Sequence, residues 1–165
     1  MPYHRKGYSV LTIKDLSITR GQGEQSFTVS LPHLSLAEGE VVSLCGSSGC
    51  GKSTLLEMMG LILKPDNLSR YELSSATLSM DLAPLILSNK QKTLAEIRSK
   101  NLGFMLQNGG LLPFLSVWQN ILLPCQTNGI LADESWLHHL CEKLNINHLM
   151  TKYPKQLSIG ERQRV

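Results

Sequence analysis

Long apolar runs are missing from this sequence, and so is a strong net charge. No stretch of 18 apolar residues occurs among its 165 residues, so no transmembrane helix is predicted. Residues 1–14 lack the apolar core of a secretory signal peptide. The formal net charge is +3, which gives no argument for a nucleic-acid partner. We expect a cytoplasmic protein that meets a membrane only through a partner.

Cysteines in the double Cys-x-x-Cys pattern of a zinc site are also missing. The four cysteines are Cys45, Cys50, Cys125 and Cys141. Reduced thiols in a cytosolic protein fit this distribution best. The length suits one domain with a sizeable core and room for an inserted subdomain.

A glycine-rich run fits the phosphate-binding pattern Gly-x-x-x-x-Gly-Lys-[Ser/Thr]. It consists of Gly46, Ser47, Ser48, Gly49, Cys50, Gly51, Lys52, Ser53 and Thr54. Glycines let the backbone approach a phosphate closely, and successive N–H groups then form an anion site at a helix N-terminus. Lys52 adds a charge for the β- and γ-phosphates, and the Ser53 hydroxyl suits Mg²⁺. The run predicts a nucleoside-triphosphate site without deciding between ATP and GTP.

The residues around this run predict the strand–loop–helix context in which it functions. Residues 40–45 are apolar with β-branched members, which is typical of a buried strand. Residues 53–61 are rich in helix formers, and Gly60 lies near their end.

A second motif, Leu-Ser-Ile-Gly-Glu-Arg-Gln-Arg-Val, occupies residues 157–165. Ser158 followed three residues later by Glu161 is a capping-box pattern. It predicts a helix N-terminus whose free N–H groups suit a phosphate.

The two motifs together resemble those of ATP-binding cassette (ABC) ATPases, whose signature usually begins Leu-Ser-Gly-Gly-Gln or Leu-Ser-Gly-Gly-Glu. The resemblance runs from Leu11 to Val165 and is weakest over residues 64–100. It implies an α/β fold, a P-loop NTPase of ABC type with a small antiparallel β portion and a helical subdomain, its C-terminal core strands absent. It also implies ATP and Mg²⁺ as cofactors. Ser158 and Gly160 would act on the P-loop of a second ABC ATPase subunit, in a homodimer or heterodimer.

The resemblance also gives roles to residues between the motifs. Residues 101–107 look like a strand that ends in the Q-loop glutamine, so Gln107 would reach Mg²⁺ and the attacking water. Residues 111–124 resemble the stretch found in ABC subunits that export lipoproteins or drive tripartite efflux. They would touch an integral membrane subunit at the cytoplasmic face. Residues 111–150 would form the helical subdomain of a single domain spanning 1–165.

Two positions depart from the family pattern. Ile159 stands where the signature usually has its first glycine. Facing the nucleotide, it would weaken engagement with the second subunit; packed inward, it would leave the helix cap intact. The aromatic residue that stacks on adenine is replaced by Arg20, or Phe27 takes its place.

Hydrophobic periodicity predicts the remaining elements. Strands are predicted over residues 10–18, over 27–36 with a break at Pro32 that favours a sheet edge, and weakly within 63–87. Helices are predicted over residues 93–100, 117–122 and 133–144. The last helix has an apolar stripe of Trp136, Leu137, Leu140, Cys141 and Leu144. Trp118 and Trp136 are expected to be packing anchors, and His138 and His139 to be exposed.

The first functional interpretation is an ABC transporter subunit that couples MgATP binding and hydrolysis to transport. In the family, a Mg²⁺-binding Asp, a catalytic Glu and a switch His follow the signature, and residues 1–165 contain none of them. We therefore expect these residues alone to bind ATP and to hydrolyse it poorly. The alternatives are a non-catalytic nucleotide-binding relative and a soluble ABC ATPase without a membrane partner. A P-loop GTPase or small kinase has no need of residues 157–165.

Overall fold

The computed structural model describes residues 9–23, 26–75, 78–106 and 110–165. These fall into two compact units, Met1–Leu102 and Gly103–Val165. The described part of the first unit holds an antiparallel sheet and three helices, and that of the second is helical.

The sheet has the strand order β2-β1-β3-β4. Its strands are β1 (Ser9–Arg20), β2 (Phe27–Ala37), β3 (Arg70–Ser74) and β4 (Ser79–Asp81). β2 lies at an edge, as predicted, but Pro32 does not break it: Leu31 still pairs with Leu16 and His33 with Lys14. A proline is tolerated there because an edge strand needs fewer of its N–H groups.

The buried face of β1 changes parity at Asp15. Leu11 and Ile13 are buried before it, and Leu16 and Ile18 after it. Asp15 itself has a φ of 54°, a left-handed conformation that rotates the strand. The second half of β1 therefore presents its even-numbered residues to the core.

Three helices complete the first unit: α1 (Lys52–Met59), α2 (Ala83–Leu87) and α3 (Gln91–Asn101). α1 and α3 confirm the predicted helices to within a few residues. β3 and β4 confirm strands within residues 63–87, whereas α2 in the same stretch escaped prediction. α1 packs on the sheet through the buried Leu55 and Met58, close to the fully buried Tyr71.

Two predicted strands are not formed. Residues 40–46 have no regular structure, and Val41 is 93% exposed. Residues 102–106 likewise have none, because α3 continues to Asn101 and no strand follows it. A strand is stable only when a neighbour pairs with its N–H and C=O groups. Within the described residues, neither segment is paired with a named strand.

The second unit contains α4 (Val117–Thr127), α5 (Glu134–Lys143) and α6 (Ile159–Arg164), with short 3-10 turns at Asn147–Leu149 and Pro154–Gln156. α4 continues through Pro124 beyond its predicted end. The core of the second unit consists of Val117, Cys141, Ile146, Leu149 and Leu157.

The expected packing role of Trp136 is wrong. This side chain is 57% exposed and stacks on His139, at the margin of the apolar stripe of α5. His138 and His139 are exposed, as expected. Within the described residues, no helix has both the length and the apolar composition required to cross a bilayer.

Candidate functional site

The glycine-rich run leads directly into α1. Gly51 is the N-cap residue of this helix, and no side chain caps it. The first N–H groups of a helix have no intrahelical acceptor, and together they favour an anion. No acidic residue occupies the first turn to compete for this position. The start of α1 is therefore suited to a phosphate group.

Glycine is needed at two positions for reasons of space. A Cβ placed on Gly46 would lie 2.7 Å from Cys50 Sγ, and one placed on Gly51 would lie 2.4 Å from Val29 Cγ2. Gly51 also has a φ of 95°, which L side chains rarely adopt. Both approaches bring bare backbone close to a neighbouring group, which is what a loop wrapped around phosphates requires.

The Lys52 ammonium group lies over this loop. Its Nζ donates to Gly46 O at 2.9 Å and to Ser47 O at 2.7 Å, and it lies 3.7 Å from Cys50 Sγ. These contacts place a positive charge among loop residues that are exposed to solvent. The charge and the open loop fit a phosphate ligand. Ser53, the predicted Mg²⁺ ligand, is exposed in the first turn of the same helix.

The two candidates for stacking on a base are direct neighbours across the sheet. Arg20 and Phe27 are paired residues of β1 and β2, so their side chains share one face. The next pair on that face is Ile18 and Val29, and Val29 contacts Gly51. Phe27 is two residues along β2 from Val29, the residue that contacts Gly51, which is a distance of about 7 Å. Both side chains are exposed.

Val29 is a residue that the sequence reasoning missed. It is 7% exposed, while Thr28 and Ser30 beside it on β2 are exposed. The alternation could have marked it as buried. No local signal connects it to Gly51, 22 positions later in the numbering.

The signature-like motif begins α6 in the second unit, and its predicted capping box is confirmed. Glu161 N–H donates to Ser158 Oγ at 3.2 Å, and Ser158 N–H donates to Glu161 Oε2 at 2.7 Å. These hydrogen bonds lower the pKa of Glu161, with smaller help from Lys152 and His148. Ile159 is 75% exposed while the cap is intact, so it does not pack inward to preserve the helix start.

An open cavity of about 590 Å³ also lies in the second unit. Its walls include Trp118, His138, Met150 and Tyr153. Trp118 and His138 are stacked with their ring centroids 5.8 Å apart. No sequence motif indicated this cavity.

The predicted site residues fall in both units. Residues 46–54 come together around Lys52 in the first, whereas Ser158 and Gly160 begin α6 in the second. Gln107, predicted to reach Mg²⁺, lies outside the described residues. All four cysteines are free thiols, as expected, with Cys45 and Cys50 exposed.

Comparison with known proteins gives a consistent result. The family model described as "ABC transporter" matches residues 30–165. The lipoprotein-releasing system ATP-binding protein LolD of Leptospira interrogans is 34% identical over 158 residues, which cover 95% of this chain and 62% of that protein. LolD of Cytophaga hutchinsonii is 36% identical over 133 residues, which cover 79% of this chain and 57% of that protein.

A similar solved structure is the ATP-binding cassette MJ0796, a dimer in a post-hydrolysis state bound to ADP and Pi. It is 28% identical with a TM-score of 0.72, and the match covers 93% of this chain and 66% of that one. The chain thus spans 57% to 62% of the length of the two LolD proteins.

Proposed function

Because the chain belongs to the ABC transporter family, we propose that it is the ATP-binding part of an ABC transporter, with residues 46–54 as the triphosphate site. Its fold is of the ABC-type α/β P-loop NTPase class. The observation that carries the proposal is the position of Lys52 Nζ among the loop carbonyls, at the uncapped start of α1.

Each part of the site would hold a different part of MgATP. The loop N–H groups and the first turn of α1 would bind the phosphates, and Lys52 would leave Gly46 O and Ser47 O to reach them. Ser53, with Gln107, would contribute oxygens to Mg²⁺. Phe27 or Arg20 would stack on the adenine, since both are exposed on the face that leads to Gly51. MgATP would supply the phosphoryl group that is transferred to water.

Lys52→Ala tests the triphosphate site. A charge-assisted hydrogen bond contributes about 1.5–3 kcal/mol, so we expect MgATP affinity to fall about tenfold or more. Isothermal titration calorimetry measures this, with Lys64→Ala as the control because Lys64 is an exposed lysine of the first unit that lies outside the loop. Equal affinities for the two variants would contradict the proposal.

We also propose a second ABC ATPase subunit as partner, with Ser158 and Gly160 placed on its bound nucleotide. In such a dimer the exposed Ile159 would stand beside the phosphates. Residues 1–165 alone are proposed to bind ATP and to hydrolyse it poorly.

An integral membrane subunit at the cytoplasmic face is the other proposed partner. Residues 111–124 are proposed to contact it, and the cavity beside Trp118 offers an apolar, aromatic surface for one of its side chains. The two candidate functions differ in this partner: a transporter subunit binds a membrane subunit, and a soluble ABC ATPase does not.

Two tryptophans provide the test of the membrane partner. Each stacks on a histidine, but only Trp118 lines the cavity. We expect Trp118→Ala to reduce co-purification with a membrane subunit severalfold, since buried aromatic contacts dominate interface energies. Trp136→Ala should leave it unchanged. Absence of any co-purifying membrane protein would favour the soluble ATPase.

A further inference from the structure

We propose that Val29 is a positioning residue for the phosphate site: its side chain sets where Gly51 lies and therefore where the first turn of α1 presents its N–H groups. The inference rests on the proposed function and adds a residue outside the phosphate-binding run.

The contact is between bare backbone and a branched side chain. A Cβ on Gly51 would lie 2.4 Å from Val29 Cγ2, 3.3 Å from Cγ1 and 3.4 Å from Cβ. All three of the nearest neighbours thus belong to one side chain. The isopropyl group of Val29 fills the space that any residue other than glycine would need at position 51.

This contact joins the phosphate loop to the buried core of the first unit. Val29 pairs with Ile18 of β1, and both belong to the core that also contains Leu55 of α1. The residues on the loop side of Gly51 are exposed, and none of residues 40–46 lies in a strand. Val29 therefore supports the start of α1 from the sheet, whereas no strand among the described residues pairs with the chain before the loop.

The position of Gly51 matters because it determines the direction of the anion site. Gly51 is the N-cap of α1, and Lys52 and Ser53 follow it directly. A misplacement of about 1 Å is enough to lower a reaction rate about a hundredfold. Truncation of the Val29 side chain would leave a cavity beside Gly51, and this cavity would allow such a displacement.

Three variants distinguish the effect of the Val29 side-chain shape on MgATP binding from its effect on folding stability. Val29→Ala removes both branches that touch Gly51. Val29→Thr keeps the branched shape but buries a hydroxyl, so it lowers stability while preserving the contact. Ile18→Ala is the matched control, because it truncates the paired core residue, and large-to-small changes of Ile are at least as destabilising as those of Val.

MgATP titration calorimetry on the full-length protein, at a temperature where every variant is folded, gives the first measurement. We expect Val29→Ala to weaken binding about tenfold, with Val29→Thr and Ile18→Ala within about twofold of the wild type. If Val29→Thr loses as much affinity as Val29→Ala, or if Ile18→Ala loses as much, the residue acts only through stability and the inference is overturned.

A double-mutant cycle on urea unfolding tests the contact without nucleotide. Gly51→Ala should lower the unfolding midpoint much less in the Val29→Ala background than in the wild type, since the steric overlap is gone and the backbone strain at position 51 cancels. The same change in the Ile18→Ala background should be additive. Additivity in both backgrounds would overturn the inference.

The two measurements distinguish this inference from the proposed function. Absence of Lys52-dependent MgATP binding in the wild type would refute the proposed function. The unfolding cycle would then decide alone whether Val29 positions Gly51.

Discussion

Tyr71 connects the sheet to the end of α1 that lies opposite the phosphate loop. It is fully buried on β3, and its hydroxyl donates to the carbonyl oxygen of Met59, the last residue of α1. Carbonyls at a helix C-terminus lack intrahelical donors, so this hydrogen bond satisfies a group that the core would otherwise leave unpaired. A single hydroxyl group thus fixes the C-terminal end of the helix that carries Lys52.

Tyr71→Phe should lower the free energy of unfolding by about 1–2 kcal/mol, because Met59 O loses its donor. Burial raises the pKa of Tyr71 above its ordinary value of 10.0. The folded state therefore keeps its proton more tightly than the unfolded state. This contribution is complete below pH 10 and is lost as the pH rises above it.

Urea unfolding at pH 8 and pH 11 measures both effects. The wild type should lose more stability between the two pH values than Tyr71→Phe does. Tyr153→Phe is the control, since Tyr153 is an exposed tyrosine of the second unit. Equal pH slopes for wild type and Tyr71→Phe would contradict the assignment.

At the scale of elements, α4 and α6 both begin with a capping box, one closed by a glutamine and the other by a glutamate. Ser116 pairs with Gln119 at the start of α4, and Ser158 pairs with Glu161 at the start of α6. The glutamine does not titrate, whereas the Glu161 carboxylate has a pKa lowered by its hydrogen bonds to Ser158. The contribution of the Glu161 carboxylate to folding stability is present above the unfolded-state pKa, about 4.3, and is lost as the pH falls through the lower folded-state pKa.

We expect the first-turn amides of α6 to lose protection from hydrogen exchange as the pH falls below about 4, while those of α4 do not. Exchange rates are compared with the intrinsic rate at each pH. Glu161→Gln should remove the pH dependence and keep the capping box. Parallel loss of protection in α4 and α6 would mean that the second unit unfolds as a whole.

Elements fixed by local chemistry were predictable from the sequence. The capping box at Ser158, the helix after Lys52 and the alternation in β1 depend on residues a few positions apart. The strand expected over residues 40–45 failed because the described residues provide no strand that pairs with it. The prediction that Trp136 packs in the core was wrong because helical periodicity assigns a side chain to an apolar stripe without showing where the buried part of that stripe ends. The contact of Val29 with Gly51 is a tertiary contact, which no local pattern encodes.

The whole molecule combines two units with different roles in the proposed function. The phosphate loop belongs to Met1–Leu102 and the signature-like motif to Gly103–Val165. Each has its own core. In the dimer proposed above, the two motifs would act on different nucleotides, so neither motif alone would constitute a complete site.

Residues 41–45 precede the phosphate loop and lie in none of the named strands. Val41, Val42 and Leu44 are exposed apolar residues, and the segment has no regular structure. Such a sequence has the composition of a buried strand, and unpaired it presents both apolar surface and free N–H groups. We therefore infer that the amides of this segment are poorly protected from solvent exchange, because within the described residues no strand pairs with it.

Hydrogen exchange on a polypeptide of residues 1–165 tests this inference. The amides of Val42 and Leu44 should exchange at nearly unprotected rates, while those of Ile13 and Ile18 in β1 are protected, because β1 is paired with β2 and β3 whereas residues 42–44 lie in no named strand. Protection of Val42 equal to that of Ile13 would contradict this inference.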